Sequence, residues 1–420
     1  MKRVLMIAYH FPPLAGSSGI QRTLRFAQHL PAFGWEPAVL TADPRAYERT
    51  SHDLDADVPA RMRVERAFAL DAARQLSIAG RYPGFLARPD RWMTWKYAAV
   101  RAGMRLIRDW RPDVVWSTYP IATAHQIGIV LHRRSGLPWV ADFRDPMAQE
   151  GYPADPRVWR SFKRIEEDAL AHARFSVFTT PGAARVYRER YPACAGRVEV
   201  IENGYDEESF AGLDDAGALR EPLTPGAITL LHSGIVYPSE RDPTQLVEAL
   251  SRLVEGGRLQ RGALKVRFRA SANDAMLAEL ARRHGVEDMI ELLPPTPYRA
   301  ALEEMLRADA LLVLQASNCN EQIPAKLYEY LRTGRPILAL TDPRGDTAGV
   351  MREAGIYSMA PLDRADAIAD RLLGFLSDLR AGTAAKPATA CVGRASRRER
   401  TRALADLLER SRGTDHRPAA

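Results

Sequence analysis

The hydrophobic positions of this 420-residue chain fall into short aliphatic runs that alternate with longer amphipathic stretches. Short runs bounded by turn residues are typical of strands buried on both faces, whereas an apolar stripe with a 3.6-residue period is typical of a helix. The pattern predicts strands at Val4–Tyr9, Ala38–Thr41, Val64–Ala67, Val114–Ser117, Trp139–Phe143, Ser176–Thr180, Val198–Ile201, Ile228–His232, Lys265–Arg269, Ile290–Leu293, Ala310–Leu314, Pro336–Leu340 and Ile356–Met359.

The segments between these strands read as helices, for example Ile20–Phe33, Pro243–Leu253 and Ala325–Arg332. Strands that alternate with helices form parallel sheets with helices on both faces. We therefore predict the α/β class, with two doubly wound parallel-sheet domains facing a cleft. In such domains the ligand lies outside the carboxyl ends of the strands.

Two breaks in the pattern divide the chain. Gly204–Gly226 is rich in Gly, Pro and acidic residues and poor in periodicity, so we interpret it as the connection between domains. The low-complexity stretch Ala381–Gly393 precedes an amphipathic run and a frayed tail. The expected domains are 1–205, 206–393 and a terminal segment, 394–420.

Composition indicates an ordinary globular protein, and it places the charge unevenly. Hydrophobic residues make up 46% and charged residues 26%, which excludes a disordered, collagenous or coiled-coil chain. Residues 1–205 hold 30 basic and 21 acidic residues, 206–393 hold 21 and 27, and 394–420 hold 8 and 4. The net charge of +7 therefore belongs to the first domain and the terminal segment.

The cysteines and the hydropathy indicate a cytoplasmic protein. Cys194, Cys319 and Cys391 are too far apart in sequence for a metal-ligand motif, and their odd number does not suggest a disulfide framework. The chain leads from Met1 directly into a predicted strand, so we expect no signal peptide. No apolar run approaches the length of a transmembrane helix, so a membrane role would be peripheral, on the inner face.

The loop after the first strand contains Phe11-Pro12-Pro13 and then Gly16 and Gly19, immediately before a predicted helix. Glycines at the start of a helix let backbone N–H groups approach an anion at the positive end of the helix. A plain strand-to-helix turn explains the same residues, so this loop alone does not identify a site.

The most informative stretch is Glu321–Pro336. Pro324 can begin a helix, which places Glu321 in the preceding loop and Glu329 within the helix. Two carboxylates in these places can bind hydroxyls of one polyol ligand at two points. The alternative for Glu329 is a solvated helix face.

Here a family resemblance becomes specific. Glu321 and Glu329 form the E-x7-E pattern of the retaining GT-B glycosyltransferases, the family 4-like group, and the rest of Lys326–Pro336 resembles its donor-site helix. Further similar pieces occur in the family's order from residue 4 to about 380. They are Phe11–Gly19, Asp142–Pro146, Glu202–Asp206, His232–Gly234 and Arg241–Asp242.

The resemblance implies two Rossmann-like domains and a C-terminal helix that returns to the first domain. It also implies roles in binding a nucleotide diphosphate sugar. Glu321 would contact the sugar and Glu329 the ribose, while Arg241 and Lys326 would neutralise the diphosphate beside Gly234. Gly16 and Gly19 would let the first loop close over the diphosphate and acceptor.

The catalytic group on the acceptor side is the point at which the sequence departs from the family. Many relatives carry a His after the fourth strand, where this chain has Ser117-Thr118-Tyr119-Pro120. The nearest histidine, His125, is a candidate catalytic group, although a lone His is more often structural. Arg144 and Asp145, at the end of the next strand, are the alternative polar groups.

Two other segments have competing interpretations. Asp53-Leu54-Asp55-Ala56-Asp57 resembles a metal-binding Asp-x-Asp, but it lacks a flanking buried strand, so we favour a solvated loop and expect no metal or other cofactor. The helix after Trp92 carries a stripe of Tyr97, Val100, Met104 and Ile107, flanked by Arg101, Arg105 and Arg108. Such a helix can lie on anionic lipid, but we slightly prefer a core-facing helix.

The sequence therefore predicts a retaining glycosyltransferase, in cell-surface polysaccharide or glycolipid assembly. The basic first domain favours an anionic or lipid-linked acceptor and a possible membrane surface. The alternatives are a nucleotide-sugar epimerase of the same fold, an Arg-rich nucleic-acid-binding protein and a catalytically inactive scaffold. No run of five basic residues occurs, so we expect no nucleic acid.

Overall fold

All thirteen predicted strands have a counterpart in the structure, a computed structural model that describes residues 1–17, 19–79, 81–213 and 221–413. Most of their side chains are buried, as parallel strands covered by helices on both faces require. The strands are β1 (Lys2–Ile7), β2 (Trp35–Ala42), β3 (Arg63–Ala67), β4 (Val114–Thr118), β5 (Trp139–Arg144), β6 (Phe175–Phe178), β7 (Val198–Val200), β8 (Ile228–Ser233), β9 (Leu264–Arg269), β10 (Ile290–Leu293), β11 (Ala310–Gln315), β12 (Ile337–Thr341) and β13 (Met359–Ala360).

Only the last strand is displaced, since the predicted Ile356–Met359 shares one residue with β13. Ile356 is fully buried, which explains why it read as part of a strand. Its backbone N–H instead donates to the carbonyl of Met351, 2.9 Å away, and so closes the end of the preceding helix. Burial of an aliphatic side chain at a helix end is therefore the cause of the error.

Helices fill the intervals between the strands. The long predicted helix Ile20–Phe33 ends as an α-helix at His29 and continues as a 3-10 turn, where Pro31 removes a backbone donor. The α-helices are α1 (Gly19–His29), α2 (Ala72–Gln75), α3 (Trp95–Trp110), α4 (Ala122–Ser135), α5 (Pro156–His172), α6 (Pro181–Arg190), α7 (Glu207–Phe210), α8 (Thr244–Glu255), α9 (Asp274–Arg283), α10 (Tyr298–Arg307), α11 (Lys326–Thr333), α12 (Asp346–Glu353), α13 (Ala365–Ala381), α14 (Thr389–Arg394) and α15 (Arg397–Arg412).

The strands form two parallel sheets. The first has the order β3-β2-β1-β4-β5-β6-β7, and the second has the order β10-β9-β8-β11-β12-β13. The direction of strand order reverses between β1 and β4 in the first sheet and between β8 and β11 in the second. Loops that follow these four strands diverge and leave a crevice at the carboxyl edge of each sheet, which is where doubly wound domains bind ligands.

The C-terminal helix returns to the first sheet, as the resemblance implied. Helix α15 packs against α1, and its Leu404, Leu407 and Leu408 are buried in the same cluster as Phe26 and Trp116. These three leucines recur at helical spacing, so one face of α15 is apolar and the arginines lie on the others.

Contacts divide the described chain into two compact units. The first unit comprises Met1–Asn203 and the helix that begins at Arg397, and the second comprises Gly204–Ser396. The described part of the predicted connection is not a free linker, because Tyr205, Phe210 and Leu213 are buried in the second unit's core. Residues 214–220 of that connection, and 414–420 of the predicted tail, lie outside the described residues.

Helix α3 faces the core with small residues as well as with part of the stripe that hydropathy indicated, since Val100 is buried and Met104 and Ile107 pack against the same core. The buried face contains Ala99, Gly103, Leu106 and Trp110, whereas Tyr97 of the predicted stripe is 70% exposed. Gly103 lies so close to α4 that a Cβ there would come within 2.6 Å of Leu131. Small residues allow the two helices to approach, and of the predicted stripe Tyr97 is the residue that lies on the outer surface.

Candidate active site

In the second unit, the predicted donor residues come from the two loops that border the crevice. Gly234 and Arg241 follow β8, and Glu321 follows β11, so both loops leave adjacent parallel strands at their carboxyl ends. The same β11 loop continues into α11, whose first residue is Lys326. The topology therefore brings together residues that are about ninety positions apart in sequence.

Lys326 lies against the end of β8. Its Nζ is 3.0 Å from Nε2 of His232, a side chain with no exposed surface. Gly234 has φ +106°, and an ideal Cβ at this position would lie 3.1 Å from Lys326 Nζ. A side chain there would be strained and would crowd the amine, so glycine keeps this edge of the sheet open.

Arg241 adds a second cation to the same place. Its guanidinium stacks 5.0 Å from the ring centre of Tyr237 and donates a 2.8 Å hydrogen bond to the carbonyl of Ile235. Burial first and the positive charge of Arg241 second hold the pKa of Lys326 well below its usual range, while Glu329 opposes this shift. Arg241, Lys326 and Glu329 thus share one electrostatic neighbourhood.

The two carboxylates occupy the two parts of the motif that the sequence assigned to them. Glu321 is half-buried in the loop, and Glu329 is half-buried in the first turn of α11. The hydroxyl of Tyr298 donates to Glu329 Oε1 at 2.7 Å. Glu329 is therefore a hydrogen-bonded carboxylate at the crevice and not merely a solvated helix face.

Side-chain hydrogen bonds hold the loop that carries Glu321. Gln315 Nε2 donates to the carbonyl of Cys319 at 3.0 Å, and Asn320 Nδ2 donates to Asp342 Oδ2 at 2.9 Å. Gly345 packs against Asn320 so closely that a Cβ would come within 2.7 Å of its side-chain oxygen. Sequence reasoning did not identify the contacts of Asn320, because they join two separate loops.

In the first unit, the loop that carries Gly16 and Gly19, called the glycine loop below, lies against the end of β5. Gly16 has φ +79°, while a Cβ on Gly19 would lie 2.4 Å from His10 Nδ1 and 2.6 Å from Arg144 Nη1. Ser17 Oγ is 3.1 Å from His10 Nδ1. Burial, and then the charge of Arg144, lower the pKa of His10 to about 4, so His10 is neutral at neutral pH.

Sequence reasoning missed His10, although its place directly after the first strand is a signal that could have found it. The topology puts this residue at the point where the strand order reverses. His10 is only partly buried, so a neutral imidazole is accessible beside Arg144. Arg144 is the arginine that the sequence analysis named as a candidate polar group of the cleft.

Arg144 and Asp145 occupy the end of β5 as expected. Arg144 has φ +60°, an unusual conformation for a residue with a side chain, and its Nη1 is 3.4 Å from the carbonyl of Tyr119. Burial is the main cause that lowers its pKa, and Asp145 acts in the opposite direction. Asp145 itself is exposed.

His125 lies in the core of the first unit and not at the sheet edge. It has no exposed surface, its Nδ1 is 2.8 Å from Ser117 Oγ, and its ring lies 4.9 Å from that of Phe143. Burial lowers its pKa to about 4. This enclosure favours the structural interpretation of His125, and we do not carry the catalytic one forward.

A cavity of about 280 Å³ adjoins the glycine loop. Tyr9, His10 and Gly16 line one side of it, and Arg49 and Arg91 contribute positive charge. Arg91 forms ion pairs with Glu48 and with the buried Asp71. The cavity therefore combines charged and apolar lining, which suits a small hydroxylated ligand.

A second concave surface lies on the outer side of α3. This α3 groove has a volume of about 690 Å³ and an apolar floor that includes Met104 and Val130. Its basic lining residues are Lys96, Arg101, Arg105, Arg108 and Arg134. The groove combines apolar surface with positive charge.

Two aspartates of the acidic stretch 53–57, which was considered as a metal site, contact basic side chains instead. Asp55 contacts His52 at 2.6 Å, and Asp57 pairs with Arg25 at 2.8 Å. Across residues 1–17, 19–79, 81–213 and 221–413, no group of three or more His, Cys, Asp or Glu side chains is arranged to hold a metal ion. Within the same ranges, no helix has the length and apolar character needed to cross a membrane.

Comparison with known sequences finds a likeness to one family in the first half of the chain. Residues 18–204 match the glycosyl transferase 4-like domain. The chain is 29% identical over 227 residues to a D-inositol 3-phosphate glycosyltransferase of Nocardiopsis dassonvillei, covering 51% of each protein. It is 27% identical over 315 residues to the Kribbella flavida protein of the same name, covering 71% of this chain and 72% of that protein. The chain spans only about half the length of the first of these curated relatives.

Solved structures extend the likeness to the whole fold. Anabaena HepE in complex with UDP superposes with a TM-score of 0.69 at 13% identity, over 98% of this chain and 100% of that one. WaaG, a glycosyltransferase involved in lipopolysaccharide biosynthesis, superposes with a TM-score of 0.61 at 14% identity, over 96% and 99%. These likenesses establish the GT-B fold, and together with the family match they confirm the predicted resemblance to family 4-like GT-B glycosyltransferases.

Proposed function

Because the chain carries a glycosyl transferase 4-like domain in a GT-B fold, we propose that it transfers a sugar from a nucleotide diphosphate sugar to an acceptor hydroxyl, with retention. The observation that carries this proposal is the cluster at the carboxyl ends of β8 and β11. There a lysine and an arginine adjoin an open glycine edge, and two carboxylates lie at either side of a helix start.

The donor would bind with its diphosphate at the cations. A departing nucleoside diphosphate carries negative charge that must be compensated in the transition state, and Lys326 and Arg241 supply that compensation without a metal. Glu329 would bind the ribose hydroxyls, and Glu321 the hydroxyls of the sugar. HepE, which shares the fold, has been crystallised with UDP and with UDP-glucose, so a uridine donor is the first to test.

Retention would follow from reaction on one face of the sugar. The bond from the anomeric carbon to the diphosphate oxygen breaks while the acceptor oxygen bonds to the same face, and the acceptor proton passes to the departing phosphate. In this step no side chain needs to act as a nucleophile, which agrees with the absence of a family-type His after β4 in the sequence.

The acceptor would bind to the first unit, near the glycine loop and the 280 Å³ cavity. The relatives are named for a phosphorylated acceptor, D-inositol 3-phosphate. Residues 1–205 carry nine more basic than acidic residues, whereas 206–393 carry six more acidic residues. This polarity supports an anionic acceptor, either a phosphorylated polyol or a lipid phosphate.

The α3 groove would bring such an enzyme to an anionic membrane surface. Arg101 and Arg134 line the groove, and neither forms an ion pair with another residue in the described part of the chain. Basic side chains beside exposed apolar surface bind anionic lipid. We therefore propose that the protein acts peripherally on the inner face of the membrane, in polysaccharide or glycolipid assembly. Failure to bind anionic vesicles at low salt would overturn this placement.

The test begins with a binding screen against UDP-, GDP-, dTDP- and ADP-sugars, followed by transfer assays with the donor that binds. Glu321→Ala should abolish transfer while melting remains unchanged. Glu353→Ala, an exposed glutamate in the same unit, is the matched control and should retain transfer. Normal turnover in the Glu321 variant would contradict the donor-site assignment.

Product analysis with donor alone distinguishes transfer from isomerisation. An epimerase would convert the nucleotide sugar without an acceptor, whereas a transferase would release free nucleotide only slowly. Inactivity with every donor that binds would instead indicate a scaffold.

A further inference from the structure

The amine of Lys326 is held by a buried histidine from a distant part of the sequence. His232 Nδ1 is 3.0 Å from the carbonyl oxygen of Leu312, and its Nε2 is 3.0 Å from Lys326 Nζ. A carbonyl oxygen only accepts hydrogen bonds, so Nδ1 carries the proton. Nε2 therefore accepts a hydrogen bond from the lysine, which fixes the position of the amine.

This amine lies at the place where an anionic ligand would enter. It adjoins the backbone of Gly234 at the carboxyl end of β8, beside the point where the strand order of the second sheet reverses. One N–H of the amine is used by His232, and the others can be directed to a ligand. His232 thus sets the direction of the remaining donors.

The charged and titratable groups around Lys326 come from three elements. His232 belongs to β8, Arg241 follows β8, and Glu329 is on the same helix as Lys326. Burial and then Arg241 lower the pKa of Lys326, and Glu329 opposes them. Burial and then Lys326 hold the pKa of His232 well below its usual range, so His232 remains a neutral acceptor.

We propose that His232 is a positioning residue for Lys326, and that Lys326 takes up a proton when a nucleoside diphosphate sugar binds beside Gly234. The proton comes from solvent and converts the amine to an ammonium, and no covalent bond to the ligand forms. The negative diphosphate favours the charged form, which the empty site disfavours. The inference rests on the proposed donor site and adds a protonation step to it.

Calorimetry on the full chain tests this step. UDP-glucose is the probe, because its esterified diphosphate neither gains nor loses a proton near neutral pH. The binding enthalpy is measured at one pH in two buffers with different ionisation enthalpies, and the slope gives the number of protons taken up. Below the usual titration range of a lysine we expect net proton uptake on binding, because a lysine with a lowered pKa is partly unprotonated there before the ligand arrives. A slope of zero throughout would overturn the proposal.

A lysine-to-arginine exchange isolates the group responsible. Lys326→Arg carries a permanent charge, so it should bind UDP-glucose with no proton uptake. Lys265→Arg is the matched control, because Lys265 lies on β9 of the same unit and donates to the carbonyl of Asp288. The control should retain the wild-type slope. Equal slopes in the wild type and the Lys326 variant would mean that a group other than Lys326 takes up the proton, which would contradict the inference.

Two substitutions test the role of His232. His232→Leu removes the acceptor and should weaken UDP-glucose binding about tenfold or more, as the loss of one hydrogen bond to a charged group implies. It should also move the pH at which proton uptake occurs. His232→Gln keeps an oxygen acceptor and should restore most of the affinity. If the leucine variant does not fold, the glutamine and arginine variants still decide the question.

The outcomes separate this inference from the proposed function. Binding of UDP-glucose without proton uptake overturns the protonation step and leaves the donor site intact. An unchanged affinity and pH profile in His232→Leu overturns the positioning role. If none of the four nucleotide sugars binds, the proposed function fails, and this inference fails with it.

Discussion

Breaking the buried ion pair between Arg22 and Asp142 by removing one partner should be among the most destabilising single changes in the first unit. Two guanidinium nitrogens of Arg22 donate to the two carboxylate oxygens at 2.9 and 2.8 Å, and the side chains are 3% and 0% exposed. Arg22 also donates to the carbonyl of Ile201 at 2.9 Å. The pair therefore joins the first helix to the end of β5 and to the segment after β7.

Replacing Arg22 by Met should be costly because it leaves a charge buried. Thr118 still donates to Asp142 at 2.8 Å, but the carboxylate loses both of its hydrogen bonds from the Arg22 guanidinium. Removing one partner of a buried pair costs about 3–5 kcal/mol. With a urea dependence of about 2 kcal/mol per molar, the unfolding midpoint should fall by about 2 M.

Tryptophan fluorescence is the right assay for this prediction. All seven tryptophans lie between Trp35 and Trp159, so their emission reports on the first unit and not on the second. Arg133→Met is the matched control, because Arg133 pairs with Asp168 at 3.4 Å on the surface and should contribute less than about 1 kcal/mol.

A double variant separates the buried charge from lost packing. Arg22→Met combined with Asp142→Leu removes both charges, and it should recover a large part of the loss. The reasoning fails if the single variant loses less than about 1 kcal/mol, or if the double variant is less stable than the single one.

Three further predictions concern the site and its surroundings. Gly19→Ala would place a methyl group 2.4 Å from His10 Nδ1, so transfer should fall about tenfold or more. Gly84→Ala is the control, because Gly84 has open space around it, and it should be active in the same assay. His125 has a native pKa of about 4, below its unfolded value, so the unfolded state binds more protons and stability falls as pH falls. His125→Gln should remove about 2 kcal/mol of that loss between pH 7 and pH 5, and an unchanged pH dependence of unfolding would contradict it. Transfer should persist in excess chelator, because Lys326 and Arg241 compensate the diphosphate, and complete loss that added Mg²⁺ or Mn²⁺ restores would refute this.

The fold was predictable because parallel strands leave a strong signal. Buried on both faces, they read as uninterrupted aliphatic runs such as Ala310–Leu314, and hydropathy alone finds them. The omission of small residues from the predicted face of α3 has the opposite origin. Gly103 packs against Leu131 of α4 and Ala99 is buried on the same helix, but a search for large apolar side chains passes over both.

The site was predictable to the extent that it lies within one continuous segment. Glu321, Lys326 and Glu329 belong to a single loop and helix, so their spacing in sequence resembles their arrangement in space. The contact between Lys326 and His232 depends on two strands that are neighbours only in the folded sheet. The sequence did not identify His10 for the same reason, since Arg144, the charged residue that acts on it, lies on a separate strand.

The net negative charge of the second unit does not favour a diphosphate ligand, and Lys326 provides a local positive charge. Residues 206–393 have an excess of acidic residues, so a general positive field cannot attract a diphosphate there. Of the 59 basic residues in the chain only six are lysines, yet the residue whose amine lies beside the end of β8 is a lysine, Lys326. An arginine in this place would keep its charge in the empty site, because its guanidinium does not deprotonate in proteins. In the proposed protonation step, the lysine held by His232 gains its full charge as the diphosphate binds, which would confine the attraction to the ligand that the site is proposed to bind.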